Sequence, residues 1–358
     1  MATRIGILTS GGDCPGLNAV IRGVAKAAYE IIDDVEIIGI IDGYRGLIEG
    51  EYKLMKKSDF SGILTLGGTI LGTSRQPFKL MQVIGEDNVD KVKAMKENYK
   101  KMKLDCLLIL GGNGTHKTAA LLAEEGLNVI GLPKTIDNDL YGSDVTFGFH
   151  SALDIATEAI DRLNTTAASH GRCMVVELMG NKTGWLTLYA GVAGGADVIL
   201  LPEIPFDMKK VVKAVKKRAE SGKAFSIIAV AEGTMEKNEP KKRKERLAAR
   251  AAEGYSTISA KIAAAITEQA GCECRVVVPG HLQRGGAPSA YDRVLSTQFG
   301  AYAARLIKKK HFGVTVAKVG NTITENKLSD IAGKAKLVDP NDQMILVAKD
   351  MGVSFGDE

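Results

Sequence analysis

Short apolar runs, each bounded by Gly, Pro, Asn or Asp, recur along the chain and alternate with stretches of helical period. The runs predict strands over 4–8, 35–41, 105–110, 128–132, 172–178, 197–201, 225–231 and 274–278. The first interval between them shows the helical signal: Leu17, Val20, Ile21, Val24, Ala27, Ala28, Ile31 and Ile32 recur at i, i+3, i+4 and i+7, which lines one face of a helix for burial against a sheet. Strand and helix alternate for nearly the whole length. This predicts an α/β fold with mainly parallel sheets covered by helices on both faces.

The length, 358 residues, exceeds one ordinary domain and predicts two similar α/β lobes, the second beginning near Gly148. The tail from about Gly313 is expected to cross back onto either lobe. No apolar run approaches the ~18–20 residues of a membrane-spanning helix. The apolar window at the N-terminus is too short for a secretory leader, so a cytoplasmic enzyme is the expectation. Five cysteines, Cys14, Cys106, Cys173, Cys272 and Cys274, lack C-x-x-C spacing and read as reduced thiols, several inside strands. The histidines form no H-E-x-x-H group, which argues against a histidine-built metal site.

Net charge is +5, unevenly spread: residues 208–250 hold 14 Lys and Arg against 5 Glu. The run 241–246, Lys-Lys-Arg-Lys-Glu-Arg, is the one argument for a nucleic-acid partner. With no aromatic residue interleaved, it reads instead as a solvated helix or loop.

The 40 glycines exceed the usual ~7% share and concentrate between strand ends and helix starts, where open α/β sheets bind ligands. In Thr9-Ser-Gly-Gly-Asp-Cys-Pro-Gly-Leu-Asn-Ala-Val-Ile-Arg22, glycines would let backbone N–H groups approach an anion beside a helix N-terminus. A tight structural turn is the competing reading. Leu110-Gly-Gly-Asn-Gly-Thr115 repeats the pattern, with Thr115 placed to cap the next helix or to donate to a phosphate. In Leu132-Pro-Lys-Thr-Ile-Asp-Asn-Asp139 two carboxylates lie beside a lysine and a hydroxyl. One carboxylate could take a proton from an attacking hydroxyl while the other holds a cation; an Asp/Asn turn capping a helix is the alternative. Arg172, Arg275, His281 and Arg284 read as one anion site sized for a phosphate monoester. Together these loops point to phosphoryl transfer onto a hydroxyl of a phosphorylated small molecule.

These segments, with Gly67-Gly-Thr-Ile-Leu-Gly-Thr-Ser-Arg75, Val175-Val-Glu-Leu-Met-Gly180 and Ala231-Glu-Gly233, resemble the motifs of the phosphofructokinase family, in order, from residue 11 to about 293. The resemblance implies Mg2+-dependent transfer to the 1-hydroxyl of fructose 6-phosphate. It implies two Rossmann-like three-layer lobes: a donor lobe of residues 1–148 plus about 283–333, and a sugar-phosphate lobe of 149–282 plus about 334–358. By matching position, Asp137 is expected as catalytic base, Thr135, Asp139 and Lys134 as its companions, and Arg172 as stabiliser of the transferring phosphate. Met179, Gly180, Glu232, Arg275, His281 and Arg284, with Arg172, are implied for the sugar phosphate, Arg172 and Arg275 arriving from a neighbouring subunit of a homodimer or homotetramer. Gly12, Arg75, Gly112, Asn113, Gly114 and Thr115 are implied for the nucleotide, and Asp137, Asp139 and Asn113 for magnesium. Arg22 and Lys26 match part of an effector site of the family's bacterial members, or else form an exposed helix face.

Three positions depart from the family pattern. Asn113 replaces an acidic residue that helps hold magnesium, and Asn181 replaces an arginine after Met-Gly. Both motivate a non-catalytic regulatory homologue as an alternative, against which the intact Thr135, Asp137, Asp139 and Arg172 weigh. A related kinase for NAD or a lipid would not need the 133–139 or 280–286 blocks. Gly114 accompanies ATP use in the family, while Lys134 accompanies pyrophosphate use. A small residue at 114 leaves room for the α-phosphate and nucleoside, so the expected donor is ATP, with pyrophosphate as the alternative.

Overall fold

The computed structural model of the protein describes residues 2–84 and 89–357, and the chain divides into two compact units. Unit 1 comprises Met1–Ser151 and Arg284–Lys336; unit 2 comprises Ala152–Gln283 and Leu337–Glu358. The tail therefore serves both units: residues 313–336 belong to the first and the remainder to the second.

Unit 1 contains, in chain order, β1 (Thr3–Thr9), α1 (Leu17–Ile31), β2 (Val35–Ile40), α2 (Tyr44–Glu49), β3 (Tyr52–Met55), α3 (Lys91–Lys101), β4 (Cys106–Gly111), α4 (Asn113–Glu124) and β5 (Val129–Pro133). The chain enters unit 2 within the first turn of α5 (Phe149–His170). There follow β6 (Cys173–Leu178), α6 (Trp185–Ala193), β7 (Val198–Leu200), α7 (Met208–Glu220), β8 (Ser226–Ala231), α8 (Arg243–Ala252), α9 (Ile258–Ala270) and β9 (Cys274–Val277). Unit 1 is completed by α10 (Ala290–Lys308), β10 (Val314–Val319), β11 (Thr322–Lys327) and α11 (Leu328–Ile331), and unit 2 by α12 (Gln343–Asp350). All eight expected strands form.

Among the described residues, the sheet of unit 1 has seven strands in the order β11-β10-β5-β4-β1-β2-β3, parallel except for β3 and β11 at its edges. β4 and β5 are buried along their whole length, which is why their sequences are continuous apolar runs. β1 pairs with β2 on one side and β4 on the other, so strand order reverses between β1 and β4. Loops leaving the carboxyl ends of these two strands diverge at that point and leave a crevice. Unit 2 has a four-stranded parallel sheet, β7-β8-β6-β9. Both units thus have the expected α/β architecture.

The helix predicted after β1 forms, with Gly16 (φ +107°) before its first turn. It packs on α10 at backbone contact. A Cβ on Gly300 would lie 2.5 Å from the Val24 amide nitrogen and 2.7 Å from the Val20 carbonyl oxygen. Lys26 is exposed and Arg22 half-buried on the same helix. In the basic segment, Lys241, Lys242, Arg243 and Lys244 are exposed, as expected, but Arg246 and Arg250 are buried. Arg250 is held by both oxygens of Glu239 at 2.6 Å, and Arg246 donates to the Pro240 and Lys241 carbonyls. Part of the charge run is therefore internal scaffolding. Among the described residues no helix is long and apolar enough to cross a membrane. The cysteines are free thiols, and Cys106, Cys173 and Cys274 lie in strands.

His116 fastens α4 to the sheet, its Nδ1 on the Gly112 carbonyl at 3.0 Å and its Nε2 on the Thr315 hydroxyl at 2.9 Å. Burial pushes its pKa down from 6.5 to about 4. Below pH 6.5 the unfolded chain therefore takes up a proton that the native ring refuses, so this group's stabilising contribution falls as pH drops towards 4. In urea unfolding, the stability advantage of the native protein over His116→Gln is expected to shrink by about 2 kcal/mol between pH 7 and 5. A constant difference would contradict the assignment. Gly300→Ala is expected to cost about 1–3 kcal/mol through overpacking and to lower the thermal midpoint; an unchanged midpoint would mean that the two helices are not in backbone contact.

Candidate active site

In unit 1 three loops meet at the carboxyl ends of β1, β4 and β5. The first, after β1, is fixed by its backbone: Ser10 N–H donates to the Leu110 carbonyl at 2.9 Å and Gly11 N–H to the Ser74 carbonyl at 3.0 Å. The Thr73 hydroxyl donates back to the Gly11 carbonyl at 2.8 Å. Buried Asn18, at the start of α1, holds the neighbouring turn by donating to the Leu66 and Gly67 carbonyls and accepting from Ile70 N–H. Arg75 follows this turn and is exposed.

The second loop runs into α4. Gly112, not Thr115, occupies the capping position; Thr115 lies inside the first turn and donates instead to the Ser10 carbonyl at 3.4 Å. Gly111 makes this possible, because a Cβ there would come within 2.2 Å of the Thr115 methyl. The space beside Gly114 is open, with no atom within 4 Å of a built Cβ. Asn113 donates from Nδ2 to the Lys334 carbonyl at 2.9 Å, and its Oδ1 is buried without a hydrogen-bond partner.

The third loop carries the acid pair. Lys134 N–H donates to the Gly111 carbonyl at 3.0 Å, and the buried Lys134 ammonium donates to the Gly12 carbonyl. The Thr135 hydroxyl accepts from Asp137 N–H at 3.0 Å, which fixes the backbone that carries the first aspartate. Between the two aspartates Asn138 adopts φ +52°, its Oδ1 accepting from Thr146 N–H at 3.0 Å. The Thr146 hydroxyl donates to the Thr135 carbonyl at 2.7 Å. Burial raises the Asp139 pKa above its ordinary value, opposed by its own amide, Lys134, Lys336 and the Thr135 hydroxyl. Burial, helped by the Arg284 guanidinium, lowers that of Lys134.

Arg284 is the surprise of this unit. Its guanidinium lies against Gly12, where a Cβ would sit 2.1 Å from Nη1, and its Nε is buried without a partner. The structure thus brings Gly12, Gly112, Asn113, Gly114, Thr115, Lys134, Thr135, Asp137, Asp139 and Arg284 into one group of loops. The cradle holds two cations, Lys134 and Arg284, among backbone N–H groups, a combination that suits a polyphosphate.

In unit 2 the expected residues fall into two groups at opposite ends of the sheet. Arg172 immediately precedes β6, and Arg275 is the second residue of β9. Both pair with Glu273, Arg172 through Nε at 2.9 Å, and these pairings hold the Glu273 carboxyl below its ordinary value. Beyond the carboxyl end of β6, Met179 N–H donates to Gln283 Oε1 at 3.3 Å. Buried Gln283 also donates to the Gly280 carbonyl and so joins the Met179–Gly180 turn to the turn bearing exposed His281. Gly180 takes φ +149° because a Cβ would crowd the Thr183 carbonyl at 2.5 Å. Glu232 accepts from Asn181 N–H at 2.8 Å.

Within unit 2, Arg172 and His281 thus lie at opposite ends of the sheet. β6 and β9 are parallel, and a six-residue strand at ~3.3 Å per residue separates its ends by roughly 20 Å. Arg172 is separated from the His281 turn by that strand length, and Arg284 lies in unit 1 beside Gly12. Sequence reasoning missed Glu273, Gln283 and Lys336, whose partners are remote in the chain. Asn18, quoted within a motif, had no role until its turn was seen.

Magnesium suits the oxygens present in unit 1. The orphaned Asn113 Oδ1 is a hard donor, and Asp137 and Asp139 supply carboxylates; magnesium is commonly held by one or two protein carboxylates, water and substrate phosphates. No cluster of three His, Cys, Asp or Glu that could cage a metal occurs among the described residues.

A family model described as Phosphofructokinase matches residues 4–307. The chain is 55% identical over 361 residues to a protein of Spirochaeta thermophila named ATP-dependent 6-phosphofructokinase, covering 99% of this chain and 98% of that one. It is 47% identical over 354 residues to ATP-dependent 6-phosphofructokinase 3 of Bacteroides thetaiotaomicron, covering 99% and 100%. Among solved structures, phosphofructokinase from Pichia pastoris in the T-state superposes with a TM-score of 0.81 at 29% identity, over 100% of this chain and 37% of that chain. A pyrophosphate-dependent phosphofructokinase from Nitrosospira multiformis shares the fold, with a TM-score of 0.82 at 19% identity, over 100% and 93%. The motifs at the strand ends, the two α/β units and these similarities establish that the chain belongs to the phosphofructokinase family.

Proposed function

We propose that this protein is an ATP-dependent 6-phosphofructokinase, transferring the γ-phosphoryl group of ATP to the 1-hydroxyl of fructose 6-phosphate in glycolysis, in the cytoplasm. The carrying observation is the loop after β5, where Thr135 fixes the Asp137 backbone and the Lys134 ammonium joins the glycine turn after β1. The curated relatives at 55% and 47% identity are named as ATP-dependent enzymes, and the open space beside Gly114 leaves room for a nucleoside triphosphate.

In this reading, Asp137 takes the proton of the 1-hydroxyl as its oxygen attacks the γ-phosphorus and the bond to ADP breaks. Thr135 holds the Asp137 backbone in place. Lys134, Arg284 and the backbone around Gly11 and Gly12 balance charge on the phosphates. Gly112, Gly114, Thr115 and Arg75 form the rest of the donor site in unit 1. Asn113, Asp137 and Asp139 would hold Mg2+, which when bound supplies neutralising positive charge. Met179, Gly180, Glu232 and His281 in unit 2 bind the sugar phosphate. Arg172 and Arg275, at the amino ends of their strands, serve a partner copy in a homo-oligomer, where Arg172 steadies the transferring phosphate.

Purified protein is expected to form fructose 1,6-bisphosphate from fructose 6-phosphate with ATP and Mg2+, and not with pyrophosphate, in an aldolase-coupled assay. Asp137→Asn is expected to lower kcat by about 10²–10⁴-fold. Turnover with pyrophosphate alone would overturn the donor assignment, and turnover with neither donor would overturn the reading as a whole.

A further inference from the structure

The loop bearing Asp137 and Asp139 is held from its inner side by Thr146, but its other side is held by a segment that lies beyond the residues matched to the family. After α11 the chain turns at Gly333 (φ +87°) and runs over unit 1 as a short strap, residues 334–336. Ala335 forms an antiparallel bridge with Leu140. Lys336 N–H donates to the Asp139 carbonyl at 2.9 Å. The Lys336 ammonium reaches further along the same loop and donates to the Ser143 carbonyl at 2.9 Å and the Asp144 carbonyl at 2.7 Å. Two residues earlier, the Lys334 carbonyl accepts from Asn113 Nδ2 at 2.9 Å, which orients that amide and leaves its Oδ1 free of protein partners.

One strap thus fastens both the loop before α4 and the loop after β5. Lys336 does the larger share, because its backbone and side chain together span residues 139–144. An ammonium offers three donors on a flexible stem, so it can satisfy carbonyls that face different ways. The Asp144 carbonyl also accepts from Asn138 Nδ2 at 3.3 Å, and Asn138 Oδ1 accepts from Thr146 N–H, so Lys336 works beside these bonds across the turn. Asn326 and the backbone of Lys318 and Gly320 anchor residues 142–144 to β10, β11 and the turn between them. Lys336 ties this anchored end to the Asp139 carbonyl, and without its ammonium that tie is lost and the carboxylates gain freedom to drift. Phosphoryl transfer depends on such placement, and a displacement of about 1 Å can cost on the order of 10²-fold in rate.

We propose that Lys336 is a positioning residue for phosphoryl transfer: it touches neither donor nor acceptor and acts by holding the Asp137–Asp139 loop. The proposal rests on the kinase reading given above.

The test compares the native enzyme, Lys336→Met, Lys336→Arg and Asp137→Asn, each assayed with ATP, Mg2+ and fructose 6-phosphate, with thermal unfolding followed in parallel and activity expressed per folded molecule. Lys336→Met is expected to lower kcat by roughly 10–100-fold while the KM values for both substrates change by less than about threefold. Lys336→Arg, which keeps charged donors at this position, is expected to recover most of the lost kcat. A purely structural role would instead lower the thermal midpoint and leave kcat per folded molecule unchanged, and that result would overturn the proposal. Should Lys336→Met fail to fold, Lys336→Leu, which likewise removes the ammonium, replaces it with the same expectations. Native turnover with a dead Asp137→Asn and a fully active Lys336→Met would sink this proposal alone, whereas a native protein that does not turn over would remove the kinase reading and the proposal together.

Discussion

An ammonium taken out of water must find dipoles or counter-charges to replace its hydration, and at Lys134 these come from loops that would otherwise be independent. Its Nζ donates to the Gly12 carbonyl after β1, its backbone N–H donates to the Gly111 carbonyl after β4, and its own position is the end of β5. Asp13 and Asp137 offset part of its charge, while the Arg284 guanidinium adds repulsion. The three strand ends are thereby joined, and Thr135 fixes the Asp137 backbone beside them.

Unit 2 is governed by a simpler constraint. In a parallel sheet every strand presents the same end to the same side, so residues before β6 and β9 cannot join residues after them. Glu273 meanwhile clamps Arg172 and Arg275 to each other, keeping the two guanidiniums together although they come from segments about a hundred residues apart in the chain. At the other end Gln283 performs the corresponding task for Met179 and the His281 turn with neutral hydrogen bonds.

Much of this was legible in the chain because it depends on local rules. β4 and β5 are buried on both faces and therefore read as unbroken apolar runs, and the stripe of α1 announces its packed face. β3, β10 and β11 escaped notice: β3 and β11 are edge strands whose exposed or half-buried positions carry Tyr, Lys, Glu and Asn, and β10 ends in Lys and an exposed Val. The glycine loops were visible as loops, but which residue capped α4 turned on the backbone, with Gly112 at the cap and Thr115 reaching the neighbouring strand's loop. Arg284 falls in the donor lobe by the boundary near 283, yet its motif pointed to the sugar phosphate; its place against Gly12 depends on a contact remote in the chain. Lys336 carries no motif at all and is recognisable only from what its two nitrogens touch.

The claim on which the rest stands is that Lys134 builds a donor phosphate site in unit 1. Calorimetric titration of ATP with Mg2+ into the native protein and into Lys134→Met, both checked for folding, tests it most directly. Loss of one charge-assisted hydrogen bond, about 1.5–3 kcal/mol, predicts affinity weakened by roughly 10–100-fold in the variant. Equal affinity in the two proteins would contradict the account.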